Sequence, residues 1–126
     1  MRKNPKFYFS FKLEGGEEFV IAAHDSDKPT LELNVTEKNG LYYGEKRDWL
    51  PIVFKFYENK TSRKELENLI KSKKKFDCIM TILDDDGSSP KELFLLYGCT
   101  GFSLTKPKLT EEETSFTMYF NYCEKQ

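Results

Sequence analysis

The chain has 126 residues, of which 33% are charged and 15% aromatic, with 11 Phe, 7 Tyr and 1 Trp. That length fits one domain, residues 1–126, and the aromatic content excludes an unfolded chain. Twenty Lys and Arg against 21 Asp and Glu leave a formal charge of −1, so no bulk basicity points to nucleic acid. No apolar run is long enough to be expected to cross a membrane.

Met1-Arg2-Lys3-Asn4-Pro5 leads into an alternating segment, which is not the pattern of a signal peptide. Phe7, Phe9, Phe11 and Leu13 alternate with polar neighbours and predict a strand. Gly15-Gly16 supplies a turn, and Glu18 to Ala23 returns as the hairpin partner. His24, followed by Asp25 and Asp27, is expected in an exposed loop. Leu31, Leu33 and Val35 predict a third strand. Residues 37–48, broken by Asn39-Gly40 and Gly44, read as a long loop of the kind that usually carries function. Trp49 to Glu58 is a fourth strand with Leu50, Ile52, Phe54 and Phe56 on one face, and Pro51 near its start.

One helix follows. Ser62 with Glu65 suggests a capping box, and Leu66, Leu69 and Ile70 form a narrow apolar stripe. Residues 60–75 hold seven basic side chains against Glu65 and Glu67, and the lysines gather toward the C-terminus, where the helix dipole favours them. Asp77 to Leu83 is a fifth strand, turned by Asp84-Asp85-Asp86-Gly87. Glu92 to Tyr97 pairs back and continues past Gly98 and Gly101 to Leu104, the glycines marking a bend or bulge. Ser115 to Cys123 closes the chain, with Phe116, Met118, Phe120 and Tyr122 on one face. The expected fold is mainly β: a small antiparallel β-sandwich or barrel of about seven or eight strands with one flanking α-helix.

Tyr8, Val20, Val53, Tyr57, Ile79, Leu83, Phe94, Leu96 and Tyr119 fall on the strand faces opposite the expected core. One helix with three apolar residues cannot cover nine such positions. A sheet that is apolar on both sides normally has a partner on the second, so self-association is expected unless the register is shifted in some strands.

No chemistry emerges from the motifs. His24 is the single histidine and has no nucleophile motif beside it. Asp84-Asp85-Asp86-Gly87 lacks the alternate spacing of a calcium loop and reads as an acidic hairpin tip. No glycine pair precedes a helix as a phosphate loop does. Cys78, Cys99 and Cys123 are odd in number and widely spaced, forming neither a disulfide framework nor a zinc knuckle. No catalytic, metal or cofactor-binding residue is therefore expected, and an enzyme is the least expected class. A small nucleic-acid-binding β-barrel stays open as an alternative, although most basic residues lie on the helix and not among the strand aromatics.

The order of the segments is more specific than any one of them. Lys46-Arg47-Asp48-Trp49-Leu50-Pro51-Ile52-Val53-Phe54 is followed by a short amphipathic helix and then by Phe76 through Leu83 with its Asp84-Asp85-Asp86-Gly87 turn. Leu93-Phe94-Leu95-Leu96-Tyr97-Gly98-Cys99 comes next, and the chain ends in Phe116-Thr117-Met118-Tyr119-Phe120-Asn121-Tyr122-Cys123. This succession, from Leu31 to Cys123, resembles the tail tube proteins of contractile-tailed bacteriophages and related injection machines. The departure is at the N-terminus, where many members of that family have a longer leader. The resemblance implies two roughly orthogonal sheets with a flanking helix, and hexameric rings stacked into a hollow tube that conducts DNA at ejection. It also implies sheath, tape-measure and baseplate proteins as partners, DNA that transits the lumen without specific binding, a location in the virion tail, and assembly in the host cytoplasm. A tube-initiator or baseplate component of the same fold is equally compatible. Within the 37–48 segment, Leu41, Tyr42, Tyr43 and Arg47 are the expected subunit-interface residues, since aromatic anchors dominate interface energetics. A channel that passes DNA is expected to present acidic or neutral side chains to the lumen and to keep the basic helix outside.

Overall fold

The computed structural model describes residues 3–105 and 113–126, with the backbone alone for 33–38 and 41–47. In chain order the elements are β1 (Phe7–Leu13), β2 (Glu18–Ala23), β3 (Asp25–Ser26), β4 (Leu31–Lys38), β5 (Leu41–Trp49), β6 (Ile52–Tyr57), α1 (Lys60–Ser72), β7 (Phe76–Leu83), β8 (Pro90–Thr105), β9 (Glu113–Tyr119) and β10 (Tyr122–Lys125).

Eight strands form one antiparallel sheet in the order β2-β1-β7-β8-β9-β6-β3, with β10 beside β8. The 16-residue β8 is its spine. The first half of β8 pairs with β7 on one edge and with β10 on the other, and its second half pairs with β9. Gly98 sits at φ +64°, a left-handed conformation that costs a residue with a Cβ about 1 kcal/mol or more. Its N–H donates to Asp77 Oδ1 at 3.1 Å. A Cβ at Gly101 would lie 3.1 Å from the Phe116 ring and 3.3 Å from Ile70. The spine thus bends where its residues are small, and the sheet folds over itself into two layers. β2 and β3, at the two ends of the strand order, are separated in sequence by His24 alone. The expectation of a sandwich or barrel resolves as a sandwich.

Phenylalanines fill the space between the layers. Phe9 stacks on Phe54 with ring centroids 4.1 Å apart, Phe11 stacks on Phe19 at 4.7 Å, and Phe54 lies 5.5 Å from Phe116. Contacts of this geometry stabilise beyond the area they bury. Ile52, Met80, Leu96 and Met118 complete the interior, and α1 adds Leu66 and Leu69.

Four expectations are corrected. The helix is capped three residues earlier than Ser62 suggests: Asn59 Oδ1 accepts from Ser62 N at 2.8 Å while Asn59 N donates to Ser62 Oγ, so Ser62 serves as the third helical residue and not as the cap. The 37–48 loop is absent. Its residues extend β4, turn at Asn39-Gly40 and return as β5, because Asn39 and Gly40 both adopt positive φ and close a two-residue hairpin. Leu83, Phe94 and Leu96 are buried in the core, not on the outer face. The register shift between Ile82 and Leu83 turns Leu83 inward, whereas Phe94 and Leu96 stand opposite the buried Met80 and Cys78 in regular register, so the inward face of β8 is simply out of phase with the expected one. Finally, the closing strand breaks at Phe120-Asn121, so Tyr122 turns outward and is 52% exposed while Phe120 stays buried.

Candidate assembly interface

The hairpin register places the outer face of the first layer in rows. Val20, Ser10, Ile79 and Leu95 are cross-strand neighbours over β2, β1, β7 and β8, and Ala22, Tyr8, Thr81 and Leu93 form the adjacent row. None of these eight side chains carries a charge. Val20 is 62% exposed and Tyr8 40%, whereas Ser10, Ile79, Thr81, Leu93 and Leu95 are half-buried. The helix does not cover this block, because α1 packs from the core side, where Ile70 meets Gly101 and Leu66 and Leu69 enter the interior. A contiguous uncharged sheet face of this kind marks a protein contact.

The second layer has a smaller outward feature. Phe102 occupies the register shift between Gly101 and Ser103, which throws its ring to the outside. It is 60% exposed and meets Tyr119 edge-on at 5.3 Å. Around the pair, Thr100, Ser103, Ser115 and Thr117 present hydroxyls.

The β4–β5 hairpin forms a two-stranded sheet that joins no other sheet among the described residues. Its base is tied down by Trp49, whose ring lies 5.4 Å from Phe120, and by Leu50 N donating to Thr30 O at 2.9 Å. An isolated two-stranded hairpin is marginal in water, which makes this arm a natural element for contact with another molecule. The backbone of Leu41, Tyr42, Tyr43 and Arg47 belongs to the arm, and their side chains lie outside the described residues.

The remaining chemical groups serve the fold. His24 is not in an exposed loop. It is buried at the crossover between the layers, stacked on Tyr57 at 4.6 Å, with Nε2 3.3 Å from Glu113 Oε2. Burial pushes the Cys78 and Cys99 thiols up, away from the reactive thiolate. In the acidic turn, the interaction with the Asp84 side chain and the hydrogen bonds donated by the Ser88 hydroxyl and amide hold the pKa of Asp86 down to about 2. Among the described residues no cluster of His, Cys, Asp and Glu has the geometry to hold a metal, and no helix is long and apolar enough to cross a membrane. Alternation already puts Tyr8, Val20 and Ile79 of the outward block on the outer face; it misses Leu93 and Leu95, because it assigns the two faces of β8 the other way round.

No family model matches the sequence, and no curated protein is significantly similar to it. Solved structures are. A chain of the anti-feeding prophage baseplate superposes with a TM-score of 0.74 at 12% identity, covering 100% of this chain and 95% of that one. The Hcp1 protein of E. coli EAEC 042 gives 0.73 at 12% identity, covering 97% of each chain. A chain of the sheath–tube complex of the PVC extracellular contractile injection system, in the extended state, gives 0.61 at 14% identity over 94% of this chain and 87% of that one. End to end, the chain has the fold shared by Hcp1 and by components of contractile injection systems.

Proposed function

We propose that this chain is a structural, non-enzymatic subunit of the inner tube of a contractile tail or injection apparatus, stacking as sixfold rings into a hollow tube. The observation that carries this reading is the uncharged outer block of Tyr8, Ser10, Val20, Ala22, Ile79, Thr81, Leu93 and Leu95, on a fold that matches injection-system components over its whole length. A monomer has no use for such a face, whereas a ring buries it repeatedly. The β4–β5 arm reaches a neighbouring subunit, with Leu41, Tyr42, Tyr43 and Arg47 as contact residues. The sixfold symmetry of the similar baseplate supports the ring number, and the similar sheath–tube complex supports a sheath as outer partner. Tape-measure protein and DNA occupy the lumen in turn, DNA passing without specific binding. The face around Thr117 and Ser103 is mainly hydroxyl-bearing and offers phosphate few fixed cations, the exposed Lys55 standing cross-strand from Ser115 at its side, and this suits such a lumen. The subunit is assembled in the host cytoplasm and resides in the virion tail.

A second reading, a tube-initiator or baseplate component, is favoured by the occurrence of the same fold in a baseplate. Negative-stain electron microscopy of the purified protein at rising concentration, with its mass in solution, separates the cases. Long hollow tubes are expected for a tube subunit, and single rings for an initiator. A strict monomer that binds single-stranded DNA in a salt-sensitive manner replaces both with a nucleic-acid-binding barrel.

A further inference from the structure

β1 and β7 are antiparallel neighbours, paired from Phe7 with Ile82 to Leu13 with Phe76. Each carries opposite charge at its two ends. At one pole of this ladder, β1 runs into Glu14 and Glu17 while β7 is entered from Lys71, Lys73, Lys74 and Lys75. Glu17 lines one cleft with Lys71 and Lys74, so these groups share a surface. At the other pole, β1 is preceded by Lys3 and Lys6 while β7 leaves into Asp84, Asp85 and Asp86. Lys3, Lys6, Asp85 and Asp86 line a second cleft of about 510 Å³, and Leu83 N donates to Lys6 O at 2.9 Å. Except for Asp84, every one of these charged side chains is exposed.

The two poles are held apart by the length of β7, about 25 Å at the usual rise per residue, so they cannot meet within one molecule. Placed head to tail, with β1 above β1 and β7 above β7, two copies bring lysines onto aspartates and glutamates onto lysines in the same contact. We propose that this end-to-end charge pattern is the stacking contact between successive copies of the chain, a heterologous interface that extends without closing. The proposal rests on the tube reading above and supplies its axial contact. Lys74 and Lys75 meet Asp85 and Asp86 of the next copy. Glu14 and Glu17 meet its Lys3 and Lys6. The bonds that the Asp86 carboxylate accepts from Ser88 keep it ionised and aimed.

The test is a charge swap in the full chain, with folding checked by circular dichroism and stacking read by sedimentation and electron microscopy. Lys74→Glu/Lys75→Glu is expected to raise the protein concentration needed for stacking about tenfold, since exposed pairs are individually weak and here turn repulsive. Adding Asp85→Lys to the same chain is expected to restore stacking, and salt is expected to weaken the wild type. If the folded double variant stacks as well as wild type, or if Asp85→Lys brings no recovery, the contact is wrong while the tube reading stands. A wild-type chain that never assembles removes both.

Discussion

His24 shows how a single residue can mislead when read only by its neighbours in sequence. Between Ala23 and Asp25 it reads as a loop histidine, yet the chain crosses there from one layer to the other and the ring is enclosed by Tyr57 and Glu113. Neither ring nitrogen has a hydrogen-bond partner among the described residues. With Nε2 only approaching Glu113 Oε2 at 3.3 Å and no hydrogen bond made, the ring contributes chiefly through its shape and its stack, so its polarity is expendable. His24→Phe is therefore expected to leave stability within about 1 kcal/mol of wild type or to raise it, as measured by urea unfolding. A loss of several kcal/mol instead shows that the approach to Glu113 is an ion pair that holds the crossover.

Among the elements, β8 does most to define the architecture, and its bend depends on Gly98. A Cβ there lies 2.6 Å from Asn121 Nδ2, and the φ of +64° is unfavourable for any side chain. Gly98→Ala is expected to cost about 1–3 kcal/mol in denaturant unfolding, the sum of left-handed strain and displacement of Asn121. The bend itself was legible, since two glycines three residues apart inside an apolar strand mark a place where the backbone turns or is closely approached. The inward row of β7 was legible by alternation as far as Ile82, but Leu83 and the inward row of β8 were not. Alternation assigns faces only while the register holds, and bulges form where two strands must bend together. The arm was missed for a related reason. Asn39-Gly40 is a strong hairpin turn and the strand before it alternates, but Leu41-Tyr42-Tyr43-Gly44-Glu45-Lys46 on the returning side lacks the alternation by which a half-buried strand is recognised.

At the scale of the whole molecule, the outer block is a cost to a monomer and an asset to an assembly. Val20, the most exposed large apolar side chain in the block, has no interior contact to lose. Val20→Asp is expected to leave the unfolding midpoint of the monomer nearly unchanged while abolishing rings and tubes in electron micrographs, because an unpaired charge would be buried at the contact. Assembly of Val20→Asp at wild-type concentrations would falsify the assignment of this face to subunit contact.

The sequence by itself determined the mainly β class, the single helix with its buried Leu66 and Leu69, the bend of β8, and the excess of apolar strand positions over what one helix can cover. All of these rest on local periodicity, turn chemistry and counting, which need no knowledge of long-range pairing. The order of segments also carried the likeness to tail tube proteins. Tertiary structure alone decided that Leu93 and Leu95 join Tyr8, Val20 and Ile79 in the outward block, where His24 lies, that the 37–48 segment is a strand of an arm, and that the ends of β1 and β7 are opposite in charge on neighbouring strands. Each of those depends on register and on which strands become neighbours, and these are settled by the packing of the phenylalanine core across the two layers.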